Sequence, residues 1–409
     1  MNILYLTNIF SDTAGGSEYI FWLYAKYMAK RGHNVHVMCY KSDKESIIRL
    51  GKANDKVYVI ELVPKVEHQG VLFQQILPNI EYLVKGIKKL QELRRSDIDI
   101  IHSNTYVPPL LGSMLQIKLN RPHIVTIHDV GLVMGLRFLY RWFREGGNDS
   151  FTSYLKAIMS TAYEHLMLTS IPRDAIIVPS SQTKEDIHVI FRSRRSNTKI
   201  YVVPSAIDLE IYEQYKNRYK ISYDPYFLYI GRLVFYKNVH VLIKGFEEVT
   251  RENREAKLIV IGKGPLEQIL RNYVRKQRLT NRIIITGYID QEEKLRLLSR
   301  CLALVNLSIF EGFGMVLLES WYFEKPVIVS TVPPLTELVN NNMDGILVHP
   351  QNIKEIRDAM LNLLEDPAYA RSLGLHGLRK VIKHYHPDRI CRYLEAVYNE
   401  VQYEYSRQI

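Results

Sequence analysis

The sequence predicts an α/β protein of two doubly wound domains, each a parallel sheet with helices on both faces. Three observations predict it. The chain has 409 residues, more than one hydrophobic core supports. Short β-branched runs alternate with longer helical patterns along its whole length, the pattern of strands covered by crossover helices. The alternation also breaks after Val203 and starts afresh at Pro225.

Ile3–Leu6 reads as the first strand, followed by a helix from about Ser17 to Arg31 that Gly32 ends. Val35–Tyr40, Lys56–Val63, Asp99–His102, His123–His128 and Ala175–Pro179 continue the strand series. Each is too short for a helix and is bounded by a polar turn or a proline. The second half repeats the grammar. Strands are predicted at Pro225–Ile230, Lys257–Ile261, Arg282–Thr286, Leu302–Leu307, Pro326–Ser330 and Gly345–His349, and helices at Asn238–Arg251 and Pro265–Gln277. Between the halves, Val203 to Asp208 and a charged, tyrosine-rich stretch read as a linker. The expected domains are therefore 1–206 and 223–386, joined by 207–222. The tyrosine-rich helix in 387–409 is expected to dock back on the first domain. Two such domains facing each other form a cleft suited to a ligand.

Composition narrows the class. The hydrophobic share of 47% and charged share of 24% are those of a soluble globular enzyme. Cys39, Cys301 and Cys391 form no C-x-x-C pair, so neither a disulfide framework nor a zinc site is predicted. Met1–Phe10 lacks a basic leader and runs into a Ser/Asp/Gly loop, which favours a first strand over a signal peptide. No apolar stretch reaches the roughly 18 residues that cross a bilayer. The protein is expected to be cytoplasmic or peripheral on the inner face of the cytoplasmic membrane. The net charge of +11 suits nucleic acid, an anionic membrane or a phosphorylated small molecule. Without a zinc-finger, RNP or basic-zipper pattern, nucleic acid ranks last.

The most specific segment runs from Ser308 to Glu319. It follows a buried strand and opens a helix. Gly312 and Gly314 remove side chains where the backbone approaches a ligand, and amides freed at a helix start bind phosphate oxygens. Glu311 on the loop can accept hydrogen bonds from sugar hydroxyls, and Glu319 from both hydroxyls of a ribose. Two glutamates at this spacing occur by chance in many proteins; the glycines between strand and helix make this pair informative. A second element agrees. Arg232 follows Gly231 at the end of a strand, and Lys237 comes after it. A bidentate fork and a compact cation on one strand-to-helix loop suit a diphosphate, whose charge they neutralise as a sugar departs.

Gly231-Arg232-Leu233 with Lys237-Asn238, Gly262-Lys263-Gly264-Pro265, Thr286-Gly287-Tyr288 and Glu311-Gly312-Phe313-Gly314 with Glu319 together resemble the family-four (group 1) retaining glycosyltransferases of GT-B fold, two Rossmann-like domains. The first half matches more loosely, through Gly15-Gly16-Ser17-Glu18, Thr126-Ile127-His128-Asp129 and Val178-Pro179-Ser180. The resemblance implies that Arg232 and Lys237 hold the diphosphate of a nucleotide-diphosphate sugar, Glu311 the donor sugar and Glu319 the ribose. Backbone from Phe313 through Met315 and Val316 to Leu317 would serve sugar and phosphates. Gly287 and Tyr288 would lie beside the base, Gly15 and Gly16 beneath the phosphates, and His128 near the sugar. The implied reaction is hexosyl-like transfer to a sugar or lipid-linked acceptor with retention of configuration, and neither a metal nor a further cofactor is expected. Two departures, Pro204–Asp208 and Val332-Pro333-Pro334, leave the sugar pocket open. His128 alone reads equally well as a structural histidine.

Leu136–Arg144 is the most unusual stretch of the first half. Arg137, Arg141 and Arg144 recur at helical spacing among large apolar groups. Such a helix can lie in the headgroups of an anionic membrane or pack on its own domain; Gly146–Ser150 after it reads as a mobile loop. A nicotinamide dehydrogenase is set aside because Asn8–Glu18 lacks G-x-G-x-x-G, and Walker A is absent. Asp97-Ile98-Asp99 reads as a turn. Two alternatives stay open: a nucleotide-sugar epimerase or sugar phosphorylase of the same architecture, and a non-catalytic nucleotide-sugar-binding module.

Overall fold

A computed structural model describes residues 1–13, 15–62, 82–89, 97–105, 108–145, 150–191 and 198–408. In chain order the first half contains β1 (Asn2–Phe10), α1 (Gly16–Lys30), β2 (Asn34–Ser42), α2 (Lys44–Ile48), β3 (Val57–Glu61), α3 (82–89), β4 (Ile100–Ser103), α4 (Pro108–Leu119), β5 (His123–Thr126), α5 (Gly135–Glu145), α6 (Ser150–Ser170), β6 (Ala175–Val178), α7 (Ser181–Phe191) and β7 (Lys199–Val202). Its strands form one parallel sheet in the order β3-β2-β1-β4-β5-β6-β7. β4, β5 and β6 are buried at every residue, because strands covered on both faces have no polar side to alternate.

The second half continues with α8 (Leu209–Arg218), β8 (Tyr226–Ile230), α9 (Val239–Glu252), β9 (Lys257–Ile261), α10 (Glu267–Lys276), β10 (Ile283–Gly287), α11 (Gln291–Arg300), β11 (Ala303–Asn306), α12 (Met315–Tyr322), β12 (Val327–Ser330), α13 (Leu335–Leu338), β13 (Gly345–Val348), α14 (Ile353–Glu365), α15 (Pro367–His384) and α16 (Pro387–Gln408). Its parallel sheet has the order β10-β9-β8-β11-β12-β13. Both sheets are the predicted doubly wound kind, and every predicted strand is present. β7 was not foreseen: it is a short edge strand whose exposed residues break the apolar run.

The chain divides into two units, Met1–Val133 with Ala162–Ala206 and Pro387–Ile409, and Met134–Thr161 with Ile207–His386. In the first unit α16 packs through Tyr398, whose hydroxyl lies 2.6 Å from His102 Nδ1 and 3.1 Å from Tyr5 Oη. Arg31 adds an ion pair to Asp388 at 3.1 Å and another to Glu395.

Two segments differ from the sequence reading. Met134–Thr161 belongs to the second unit, because α5 sends Phe138 and Leu139 into a core cluster with Val234, Phe235 and Tyr236. The Phe138 and Phe235 rings stand 4.8 Å apart. The face of 136–144 considered for a membrane is thus spent largely inside this unit; 146–149 lie outside the described residues. The expected linker is α8, capped by Asp208, which accepts from the Glu210 amide at 3.2 Å. Its charged residues are the solvent side of a helix that buries Tyr212.

Candidate functional site

In the second unit the strand order reverses between β8 and β11, the place where loops leave an open sheet in opposite directions. The Gly231–Lys237 loop follows β8 and the Ser308–Gly314 loop follows β11. Backbone hydrogen bonds tie the motif loops together. The Gly231 amide donates to Ile261 O at 3.0 Å, Leu233 to Lys263 O at 2.9 Å, Gly262 to Gly287 O at 2.8 Å, and Ile309 to Tyr236 O at 2.8 Å. The spacing demands glycine at one place above all. Gly262 has φ +141°, and a Cβ there would stand 1.8 Å from Gly231 O. The motif glycines are the condition for two loops to run backbone against backbone.

Gly314, at φ +100°, starts α12 without a side-chain cap. The Leu317 amide returns to Gly314 O at 2.9 Å, so the Met315 and Val316 amides precede the first intrahelical bond, a position suited to anion binding. Phe313 and Leu317 are buried and anchor the turn in the core. Tyr288 is largely exposed beyond Gly287.

Each of the two carboxylates has a lysine. Lys237 Nζ lies 2.7 Å from Glu311 Oε2, both side chains being about five-sixths buried (16% and 14% exposed). Asn306 Nδ2 donates to the same oxygen at 3.3 Å. Burial pushes the Glu311 carboxyl up, but the Lys237 charge and hydrogen bonds from Lys237, Asn306 and Ser308 outweigh it and hold it below the usual range. Glu311 is therefore an ionised acceptor and a poor proton donor. Glu319, on α12, accepts from Tyr212 Oη at 2.7 Å and from Lys294 Nζ at 3.0 and 3.2 Å.

Arg232 is exposed at the end of β8. Its guanidinium donates to Tyr236 Oη and lies 6.0 Å from the Trp142 ring of α5. Glu145 Oε2 accepts from the Phe235 amide at 3.0 Å, so α5 fixes the turn that carries Lys237.

In the first unit, Gly15 precedes α1, Gly16 is its first residue, and His128 follows β5. Asn104, next after β4, joins these elements. Its Nδ2 donates to Ser17 O at 3.3 Å and to Thr7 Oγ1 at 3.2 Å. Since a carbonyl only accepts, Asn104 Oδ1 is the atom facing His128 Nε2, at 2.9 Å. Nε2 thus carries the proton and Nδ1 is left as an acceptor. Desolvation pushes His128 down to about 4, so the ring is neutral at pH 7.

Sequence reasoning missed Asn104, Tyr212, Lys294, Asn306 and Trp142. Asn306 had a signal, since it ends the strand before the Glu311 loop. The others lie on elements distant in sequence.

A model of Glycosyl transferases group 1 matches residues 212–379. One of Glycosyltransferase Family 4 matches residues 14–211. The glycosyltransferase MJ1607 of Methanocaldococcus jannaschii is 24% identical, covering 87% of this chain and 91% of its own. The O-antigen chain mannosyltransferase C of Escherichia coli is 22% identical, over 91% and 90%. Among solved structures, Anabaena HepE in complex with UDP superposes with a TM-score of 0.68 at 18% identity, covering 98% of this chain and all (100%) of that one. The doubly wound sheets match the GT-B fold, and with the two family models meeting end to end on its sequence the chain belongs to the family-four (group 1) retaining glycosyltransferases.

Proposed function

We propose that this glycosyltransferase takes its sugar from a nucleotide-diphosphate sugar gripped by Arg232, Lys237, Glu311 and Glu319, and moves it with retention to a hydroxyl of a glycan precursor. The observation that carries the reading is the pairing of charges around the loops after β8 and β11: Lys237 against Glu311 on those loops and Lys294 of α11 against Glu319 of α12, with the helix start at Gly314 between the two carboxylates. The ends of a nucleotide sugar present hydroxyls and its middle presents phosphate. Ionised Glu311 accepts from the sugar hydroxyls, Glu319 from the ribose, and Arg232, Lys237 and the α12 amides meet the diphosphate.

The leaving group is a nucleoside diphosphate, whose departure builds negative charge on its β-phosphate. Fixed cations and amides already aimed at that charge lower the barrier with little reorganisation. No side chain is assigned as nucleophile. His128 Nδ1 is assigned to accept from a substrate hydroxyl. The UDP bound to HepE makes a uridine diphosphate sugar the first donor to try. The Escherichia coli relative supports a growing polysaccharide or its lipid-linked form as acceptor.

The test is a thermal-shift series with uridine, guanosine and adenosine diphosphates and their sugars. A ligand at 100 times its Kd stabilises by about 2.7 kcal/mol. The expected result is a shift with one base that Glu319→Ala abolishes; no shift with any of them, or one that Glu319→Ala spares, rejects the assignment.

A further inference from the structure

We infer that the outward face of the first part of α6, in the second unit, docks on an anionic lipid bilayer. Phe151, Tyr154, Leu155, Ile158 and Met159 follow one another at i, i+3, i+4, i+7 and i+8, a single helix face. All five are exposed, from 40% for Ile158 to 75% for Phe151. The opposite face is the buried one: Ser153 and Ala157 are fully covered, and Ala157 shares a core cluster with Phe138 and Leu139 of α5. The helix is therefore correctly seated on its unit, and its large apolar residues are still the ones turned outward. A contiguous apolar face of this kind on a soluble domain marks an interaction surface.

Charge decides what covers it. The first part of α6, Ser150–Thr161, contains Lys156 and no acidic residue. On α5, Arg137, Arg141 and Arg144 are exposed. Glu145, the one acid among the described residues of 134–161, is turned to the Phe235 amide and to Arg141. Among its described residues the segment thus offers apolar side chains with cations and no outward carboxylate. An anionic bilayer meets both demands at once, giving apolar depth to the stripe and lipid phosphates to the arginines. A second copy of the same cationic surface would meet it with like charge. The inference deepens the reading of a lipid-linked acceptor and rests on it for the purpose of the contact. It also relocates the contact from the α5 stripe, whose apolar side is internal, to α6.

Sedimentation with vesicles tests it, using phosphatidylcholine with and without one quarter phosphatidylglycerol at about 0.1 M salt, where surface charges still act over about 10 Å. The full chain is expected to sediment with the anionic vesicles, at least tenfold less with the zwitterionic ones, and less as salt rises. Leu155→Ser with Ile158→Ser is expected to lower anionic binding about tenfold, and Arg137→Gln with Arg144→Gln to remove its salt dependence. The nucleotide thermal shift of all these proteins should stay that of the parent. Undiminished sedimentation of the Leu155/Ile158 variant, or none by the parent chain, overturns the inference. So does light scattering showing a dimer that this variant dissociates. Nucleotide binding is read separately, so loss of the donor reading leaves the vesicle result standing, and the reverse.

Discussion

Lys237 Nζ stands 2.7 Å from Glu311 Oε2, joining the loop after β8 to the loop after β11 at the point where the strand order of the second sheet reverses. The pair keeps a cation and a carboxylate of opposite duty in fixed places, at the cost of desolvating both.

Lys237→Ala is expected to lower kcat/KM by about 10²- to 10³-fold, the loss typical of one transition-state donor. It also leaves Glu311 buried and unpaired, which costs on the order of 3 kcal/mol. Denaturant titration reads the second effect. Because the folded carboxyl lies below its unfolded value, the pair's contribution is present above that unfolded value and is lost as pH falls through the folded one. In Lys237→Ala that acid loss should disappear; an unchanged acid limb would remove the pair from the account.

Tyr212→Phe removes one of the donors on Glu319 and leaves Lys294 in place. A hydrogen bond to a charged acceptor contributes about 1.5–3 kcal/mol. With Lys294 compensating, we expect nucleotide affinity to fall about five- to tenfold in calorimetry, with kcat at saturating donor little changed. A fall in kcat alone would contradict the ribose role of Glu319.

Trp142→Ala should raise KM for the donor by a few-fold. Its ring lies 6.0 Å from the Arg232 guanidinium, and such contacts are worth about 0.5–1 kcal/mol at exposed sites. Trp142→Phe should recover much of the loss in steady-state kinetics. Equal defects in both variants would mean that packing of α5, not contact with Arg232, is what matters.

His128 titrates at about 4 in the folded chain against 6.5 ordinarily. Between those values the unfolded state holds the extra proton, so stability is full above about 6.5 and declines as pH falls toward 4. Proton NMR of His128 should show no titration between pH 6 and 8, and His128→Gln should remove this contribution to the acid slope. A midpoint near 6.5 would make the ring a candidate proton donor and reject the acceptor role.

The strands and the second unit's motif loops were legible because their causes are local. Fully buried strands are written as apolar runs, and Gly262, Gly287 and Gly314 record where backbone meets backbone or turns to positive φ. Arg232, Lys237 and Glu311 lie on those loops and Glu319 on the helix that follows, so local pattern singles them out. Other features had no local cause. The α8 segment read as a linker because its polar residues face solvent and Tyr212 is its one buried residue.

The sequence by itself therefore determined the two doubly wound sheets, the family and the residue types on the second unit's motif loops, all of which follow from short-range pattern. Only the tertiary structure decided which groups meet those residues. Lys294 reaches Glu319 from α11 and Tyr212 from α8, while α5 joins the second unit by burying Phe138 against Phe235. The physical reason is that side-chain contacts between elements distant in sequence depend on how helices pack on the sheet, and that packing leaves no periodic trace in the chain.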